Sequence, residues 1–151
     1  MSADPRPAPP GPAAGAAVAG AGEVVIGVGV DLCDVGRMRA TLARTPGFAA
    51  RVFTPGEREY CDKRRDPSER YAARFATKEA VLKAMGLGLG ACGFHDIEVR
   101  RSSTGEPSVA LHGRAVALAA DRGIAAWHLT LSHTHTLAIA QVVAVGAPVR
   151  Q

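Results

Sequence analysis

The chain has 151 residues, of which 47 % are hydrophobic and 5 % aromatic, and its formal net charge at pH 7 is +4. This length suits one domain with an aliphatic core, and no apolar run is long enough to span a bilayer, so we expect no membrane association. The odd number of scattered cysteines argues against a disulfide framework and favours the reducing cytoplasm, while the positive charge favours an anionic partner: nucleic acid, a phosphorylated small molecule or an acidic protein.

The first 22 residues are almost entirely Pro, Ala and Gly, and they lack the basic start and leucine-rich centre of a signal peptide. We predict a disordered tail over 1–22, because few of its side chains could offset the entropy of ordering it. The rest is expected to form a single domain over 23–146, followed by a C-terminal tail over 147–151.

Apolar residues alternate along the segment EVVIGVGVD (23–31), which predicts a β-strand. One face of this strand is nearly bare, because it holds Gly27 and Gly29, and it ends at the carboxylate of Asp31. Glycines inside a strand mark close approach by another backbone or by a ligand. We therefore expect another element or a ligand to lie against this face.

The segment VGRMRATLAR (35–44) has an apolar helical stripe and a second stripe formed by Arg37, Thr41 and Arg44. This predicts a short helix in a stretch that contains arginines and no acid. The arginines could steer an acidic partner helix, could follow a nucleic acid, or could simply be solvated.

Two capping boxes start the next helices: TPGE (54–57), with Pro at the first helical position, and DPSE (66–69), with Asp66 as the cap. The second helix is predicted to run to about Met85, and Gly86 ends it.

The C-terminal half predicts two strand pairs and one helix. The alternating segments 95–101 and 107–113 form a hairpin, 113–123 is an alanine-rich helix, and 127–133 pairs with 136–145. Because strands and helices are interspersed and hairpins occur among them, we predict an α+β fold.

Glu79 lies inside the apolar stripe of the long helix, where a carboxylate needs a partner. If this helix packs on the glycine face of the first strand, Glu79 meets Asp31, and two adjacent carboxylates must share a proton or a cation. A hard divalent ion such as magnesium fits them. Alternatively, Glu79 pairs with Lys83 one turn away, and Asp31 only caps the following helix.

Basic residues surround Glu79 on the same helix, namely Arg74, Lys78 and Lys83. They suit a phosphate or pyrophosphate ligand, although a solvated basic face would look the same. In SHTHT (132–136), the two histidines lack further zinc ligands at a suitable spacing, so a phosphate contact, a proton transfer or an ordinary loop remain open.

Four motifs occur together and in order: GVGVDLCDVGRM (27–38), ARFATKEAVLKAMGLG (73–88), TGEP (104–107) and LSHT (131–134). In this combination the chain resembles holo-[acyl-carrier-protein] synthases, the short, single-repeat type of 4′-phosphopantetheinyl transferase, over Val24 to Val145. The resemblance implies a 4′-phosphopantetheinyl transferase-like fold, in which a small antiparallel sheet packs with a long central helix. It also implies transfer of 4′-phosphopantetheine from coenzyme A to a serine of apo acyl carrier protein, with release of adenosine 3′,5′-bisphosphate.

The resemblance further implies roles for particular residues. Asp31 and Glu79 match the carboxylates that bind Mg²⁺, and Glu79, Lys83 and His133 match the catalytic positions. Coenzyme A contacts are implied for Arg74, Lys78, Lys83, Pro107 and His133. Contacts with the acidic carrier protein are implied for Arg37, Thr41 and Arg44. The implied assembly is a homotrimer with active sites at subunit interfaces, and neither His135 nor the N-terminal tail receives a role.

Two other functions remain to be weighed. Another magnesium-dependent phosphoester hydrolase would use Asp31 and Glu79 equally well. A basic nucleic-acid-binding module would explain the charge but not the acid pair, so we expect no nucleic acid partner.

Overall fold

The structure is a computed structural model that describes residues 22–148. Of the two tails predicted over 1–22 and 147–151, residues 1–21 and 149–151 lie outside this range. The elements, in order, are β1 (Val24–Asp34), α1 (Val35–Arg44), α2 (Phe48–Val52), α3 (Pro55–Asp62), α4 (Ser68–Ala84), a 3₁₀ turn (Phe94–Asp96), β2 (Ile97–Arg101), β3 (Pro107–Leu111), α5 (Gly113–Asp121), β4 (Ala126–His133) and β5 (Leu137–Gly146).

The predicted α+β fold is confirmed. Strands β1, β5 and β4 form an antiparallel sheet in the order β1-β5-β4, and β2 pairs with β3 in a separate antiparallel hairpin. The long helix α4 packs on the three-stranded sheet and buries an alanine-rich face against small residues of β5, such as Ala140 and Ala144. The core cluster between α4 and the sheet is therefore aliphatic, as the low aromatic content predicted, whereas a second buried cluster contains the rings of Phe53 and Tyr71.

The two glycines of β1 allow α4 to approach this closely. A Cβ atom on Gly27 would lie 2.0 Å from the carbonyl oxygen of Ala84, and one on Gly29 would lie 1.9 Å from that of Ala80. Any larger residue would push the helix away from the strand. The glycine face predicted from the sequence is thus a helix-docking face, and it brings the end of β1 next to the second half of α4.

The first predicted capping box is confirmed, and the second is wrong in part. Thr54 Oγ1 accepts a hydrogen bond from the Glu57 amide (3.2 Å), and Glu57 Oε2 accepts one from the Thr54 amide (2.9 Å). Asp66 does accept a hydrogen bond from the Ser68 amide (3.0 Å). The Glu69 carboxylate, however, does not return to the cap, because it faces two histidines at the end of the sheet.

Two local features differ from the sequence expectation. Strand β1 extends to Asp34, whose side chain caps α1 by accepting a hydrogen bond from the Arg37 amide at 2.8 Å. The short helix α2 was not predicted, since its five residues are too few to show helical periodicity.

One face of the three-stranded sheet carries apolar side chains that α4 does not cover. Val28, Val30 and Leu32 are 63 %, 51 % and 56 % exposed, and Ile139 lies opposite Leu32 in the register. We call these four residues the open sheet face. Among the described residues, no helix is both long and apolar enough to cross a membrane.

Candidate active site

Asp31, Glu79 and Lys83 come together where the end of β1 meets α4. Nζ of Lys83 lies 2.8 Å from Oδ1 of Asp31 and also donates to the carbonyl oxygen of Val30 at 3.1 Å. Lys83 is therefore bound to the strand rather than to Glu79, its neighbour one turn earlier. Since Asp34 caps α1, both local alternatives for these acids, a Glu79–Lys83 pair and an Asp31 cap, are wrong.

The two carboxyl groups are electrostatically linked. Burial and then the neighbouring Asp31 carboxyl group raise the pKa of Glu79 from 4.5 to about 7, and the charge of Lys83 opposes this effect. The hydrogen bond to Asp31 also raises the pKa of Lys83. Oδ2 of Asp31 is buried and has no hydrogen-bond partner within the described part of the chain. A buried carboxylate oxygen without a partner is costly, so this site suits an added proton or cation.

These residues fit a hard divalent cation. Mg²⁺ accepts one or two protein carboxylates and takes its other oxygens from water and phosphate. Within residues 22–148, no group of three or more His, Cys, Asp or Glu side chains could hold a metal ion. This donor set therefore matches magnesium better than a structural zinc site, which needs four protein ligands.

A pocket of about 360 Å³ lies between α1 and α4 beside Glu79. Glu79 lines it together with Arg37 and Thr41, two of the residues assigned to carrier binding, and Phe75 contributes an apolar wall. Arg44 is exposed in the last turn of α1. The structure thus places the predicted carrier-binding helix directly next to Glu79.

A second, larger cleft of about 500 Å³ is strongly basic. His133 lines it, with Nδ1 3.2 Å from Oε2 of Glu69. His135 is fully exposed, and its Nδ1 lies 3.0 Å from the other oxygen of Glu69. Six arginines contribute to the lining: Arg39, Arg64, Arg65, Arg70, Arg74 and Arg101.

Arg74 is the most buried arginine of this cleft. It is 2 % exposed, and its guanidinium Cζ lies 4.2 Å from the centre of the Tyr60 ring. Among residues 22–148, its Nε has no hydrogen-bond partner. Burial lowers the pKa of Arg74, and the charge of Arg101 lowers it further. A buried cation with an unused donor is suited to an anion in the cleft.

Lys78 requires a correction. Its side chain is fully buried, and Nζ donates to Oε2 of Glu57 (2.9 Å) and to the carbonyl oxygens of Phe94 (2.9 Å) and Ile97. An ammonium group has three donors, so none remains for a phosphate. Burial lowers the pKa of Lys78, and the negative charge of Glu57 opposes this decrease. This structure therefore does not support the expected contact of Lys78 with coenzyme A, because the residue is half of a buried ion pair.

Pro107, the last predicted cofactor residue, opens β3 directly opposite Arg101 of the basic cleft. The structure thus sorts the predicted residues into two groups. Asp31, Glu79 and Lys83 lie where the end of β1 meets α4, with Glu79 in the pocket beside α1. Arg74 and His133 lie in the basic cleft. The linings of the two pockets share no residue.

A family model, described as the 4′-phosphopantetheinyl transferase superfamily, matches residues 27–140. The chain belongs to this superfamily. The matched range includes Asp31, Glu79, Lys83 and His133, so every predicted catalytic residue lies within the family region.

Relatives place the chain near one branch of the superfamily. A holo-[acyl-carrier-protein] synthase of Desulforudis audaxviator is 48 % identical over 124 residues, which cover 82 % of this chain and 95 % of that protein. The crystal structure of a holo-ACP synthase from Plasmodium yoelii aligns with TM-score 0.74 at 31 % identity and covers 84 % of this chain and 99 % of that one. A holo-(acyl-carrier-protein) synthase from Bacillus anthracis, in complex with CoA (3′,5′-ADP), aligns with TM-score 0.68 at 32 % identity, covering 82 % and 98 % of the two chains. The phosphopantetheinyl transferase fold predicted from the motifs is confirmed.

Sequence reasoning missed several members of the basic cleft. Arg64 and Arg65 stand in the run KRR (63–65), a charge cluster that could have signalled an anion site. Tyr60 and Arg101 carry no comparable signal, because they are distant in sequence and meet only through the packing of α3 and β2 on α4.

Proposed function

We propose that this chain is a holo-[acyl-carrier-protein] synthase, which transfers 4′-phosphopantetheine from coenzyme A to a serine of apo acyl carrier protein and releases adenosine 3′,5′-bisphosphate. The curated relatives and the coenzyme A complex of the Bacillus anthracis protein support it. The observation that carries it is the junction of Asp31, Glu79 and Lys83 beside α1, since phosphoryl transfer needs positioned charge next to the acceptor.

Asp31 and Glu79 are the residues that would hold Mg²⁺. When bound, this ion supplies charge stabilisation for the phosphoryl oxygens. Lys83 adds to it from the protein side. Its side chain is 54 % exposed, and its ammonium group uses two of its three donors on Asp31 and Val30, which leaves one for a phosphate oxygen.

A base must take the proton of the carrier serine, and the two candidates are the Glu79 carboxylate and a ring nitrogen of His133. Glu79 lines the pocket beside the carrier-binding helix, whereas His133 lines the basic cleft with Glu69. This arrangement favours Glu79 for proton transfer and His133 for contact with coenzyme A.

The partners follow from the charges. Arg37 and Arg44, exposed on α1, would steer the acidic carrier protein, and Thr41 lies between them. Arg74 and the neighbouring arginines would bind the phosphates of coenzyme A.

A cytoplasmic location is also part of the proposal, and the three free cysteines, Cys33, Cys61 and Cys92, are compatible with a reducing compartment.

A homotrimer with shared active sites is the assembly we propose. The open sheet face leaves large apolar side chains exposed, which is typical of a protein interface. In one chain the acidic group and the basic cleft are separate pockets. A site that needs both would be completed when the basic cleft of one subunit lies against Asp31 and Glu79 of the next.

The direct test is carrier labelling. The protein is incubated with coenzyme A, apo acyl carrier protein and either Mg²⁺ or a chelator, and the carrier mass is measured. We expect the carrier to gain the mass of phosphopantetheine in the reaction with Mg²⁺ and not in the reaction with the chelator. If a folded sample adds no mass, the proposal is rejected; hydrolysis of phosphoesters without a carrier would then point to the hydrolase, and salt-dependent binding of random DNA to the nucleic-acid module.

A further inference from the structure

The ring of Tyr60 is surrounded by guanidinium groups. The Cζ atoms of Arg70, Arg74 and Arg101 lie 4.0, 4.2 and 4.9 Å from its centroid. Tyr60 belongs to α3, two of the arginines to α4 and the third to β2. An aromatic face attracts cations and stacks well with flat guanidinium groups, so this one ring can hold together three groups that repel each other.

Carboxylates do not neutralise this cluster. Within residues 22–148, none of the three arginines forms an ion pair, while nearby Asp66 is paired with Arg39 at 2.8 Å and Glu69 faces two histidines. The guanidinium of Arg74 donates to the carbonyl oxygen of Arg70 at 3.3 Å, but its buried Nε has no partner. The cluster is therefore a concentration of positive charge that no ion pair among residues 22–148 neutralises.

The three elements that carry the cluster are fastened together directly behind it. The buried pair of Lys78 and Glu57 joins α4 to α3, and Glu57 Oε1 also accepts a hydrogen bond from the Val99 amide of β2 at 2.8 Å. Lys78 lies one helical turn from Arg74, Glu57 lies one turn from Tyr60, and Val99 lies two residues from Arg101 along β2. The ring and its arginines are thus held before any ligand arrives, which lowers the cost of binding.

We propose that Tyr60 is a positioning residue whose ring holds Arg70, Arg74 and Arg101 as a preformed cradle for a phosphate group of coenzyme A. The inference rests on the proposed function for the identity of the ligand. Tyr60 also lines the adjoining pocket together with Arg74 and Arg101, so its ring forms the wall between two clefts. Backbone carbonyl oxygens also hold two of the guanidinium groups, because Arg70 donates to the carbonyl oxygen of Tyr60 at 2.7 Å and Arg101 to that of Gly105 at 2.5 Å. The remaining guanidinium edges are the ones that would bind a phosphate.

The test compares Tyr60→Leu, which removes the π face, with Tyr60→Phe, which retains it. For Tyr60→Leu we expect KM for coenzyme A to rise about tenfold, with kcat and KM for the carrier little changed. Tyr60→Phe should restore the KM of the unchanged protein. Equal KM values for coenzyme A in both variants would overturn the inference, as would a loss in Tyr60→Leu that falls on kcat and carrier KM alike.

Dephospho-coenzyme A identifies which phosphate is held. If the cradle holds the 3′-phosphate, the unchanged protein binds dephospho-coenzyme A weakly, and Tyr60→Leu weakens it no further. If the cradle holds the pyrophosphate, Tyr60→Leu weakens both substrates by the same factor. Both results support the cradle.

Calorimetric binding of coenzyme A, measured without the carrier protein, separates this inference from the proposed function, because coenzyme A carries both the 3′-phosphate and the complete pyrophosphate. Weaker binding by Tyr60→Leu than by Tyr60→Phe supports the cradle even if no carrier is labelled, and equal binding with normal carrier labelling rejects the cradle alone. If Tyr60→Leu does not fold, phenylalanines with increasing ring fluorination at position 60 replace it. Each added fluorine weakens the attraction of the ring for cations, so the dissociation constant of the calorimetric ligand should rise stepwise. A dissociation constant that does not change with fluorination would overturn the proposal.

Discussion

Lys83 and Asp31, 52 residues apart, form a partly exposed ion pair with Nζ 2.8 Å from Oδ1. The pair links the second half of α4 to the end of β1, at the place where Gly27 and Gly29 let the helix approach. It also leaves the second oxygen of Asp31, beside Glu79, without a partner among the residues that the structure describes. The lysine thus partly compensates the acid pair and keeps one donor for a substrate.

Replacement of Glu79 by Gln should remove activity without unfolding the protein. The amide keeps the shape but loses the negative charge that would hold the cation, so we expect transfer to fall by at least about a hundredfold. Carrier labelling measures the rate and circular dichroism the fold. Glu59→Gln, an exposed change of the same chemistry on α3, serves as the control. Activity near normal in Glu79→Gln would contradict its role as a metal ligand.

The raised pKa of Glu79 predicts a pH-dependent stability of the metal-free protein. Its pKa is about 7 in the fold, compared with 4.5 for an unperturbed group, so the folded state binds the proton more tightly. This stabilisation is complete below about pH 4.5 and is lost as the pH rises through 7.

Urea unfolding in the presence of a chelator, between pH 5 and pH 8, provides the measurement. The free energy of unfolding should decrease with pH more in the unchanged protein than in Glu79→Gln. Because Mg²⁺ binds the deprotonated acid, it should raise the melting temperature more at pH 8 than at pH 6. Parallel pH profiles for the two proteins would show that Glu79 keeps an ordinary pKa.

Two inactive variants should complement each other if active sites are shared between subunits. Glu79→Gln damages the acidic group, and Arg74→Met damages the basic cleft with a side chain that can still pack on Tyr60. If equal amounts of the two variants assemble randomly into trimers, about one quarter of the sites combine an intact Glu79 with an intact Arg74 from the neighbouring subunit.

Coexpression with two affinity tags and carrier labelling would measure this recovery, and light scattering would give the number of subunits. Separately purified variants, mixed without exchange of subunits, provide the control. If exchange is complete and no activity returns, each site lies within one chain.

Charge reversal on α1 should weaken carrier binding selectively. Arg37→Glu and Arg44→Glu place like charge opposite an acidic partner, so we expect KM for the carrier to rise about tenfold while KM for coenzyme A stays the same. Initial rates at varied carrier concentration measure the effect, which should diminish in high salt. Arg51→Glu, an exposed change on α2, is the matched control. An equal effect of all three variants would indicate general charge steering rather than docking on α1.

Loss of Lys78 should destabilise the fold strongly. Lys78→Met leaves the fully buried Glu57 without a counter-charge, which costs about 3–5 kcal/mol in comparable cases. The double variant Lys78→Met with Glu57→Gln should regain part of this free energy, because no buried charge then remains unpaired. Urea unfolding of the two proteins provides the comparison. A single variant as stable as the unchanged protein would contradict a structural ion pair.

The secondary structure was predictable because its signals are local. Strand alternation in β1, the Thr54 capping box and the glycine that ends α4 each depend on a few neighbouring residues, and each is confirmed. One failure has a tertiary cause and the other a local one. The DPSE segment satisfies the same box pattern, yet His133 and His135 draw the Glu69 carboxylate away from the helix start. Periodicity cannot detect a helix as short as α2.

The sequence by itself determined the family, the glycine face of β1 and the acids and bases from which a site could be made, since these depend on residue type and spacing. Only the tertiary structure decided which basic side chains are free to bind a phosphate. Lys78 and Lys83 are both lysines of α4, but α3 and two backbone carbonyls enclose the first, while the end of β1 holds the second near solvent. Likewise, Tyr60 gathers its arginines only through the packing of α3 and β2 on α4. Burial and pairing arise from contacts between distant segments, and one helical pattern is compatible with either outcome.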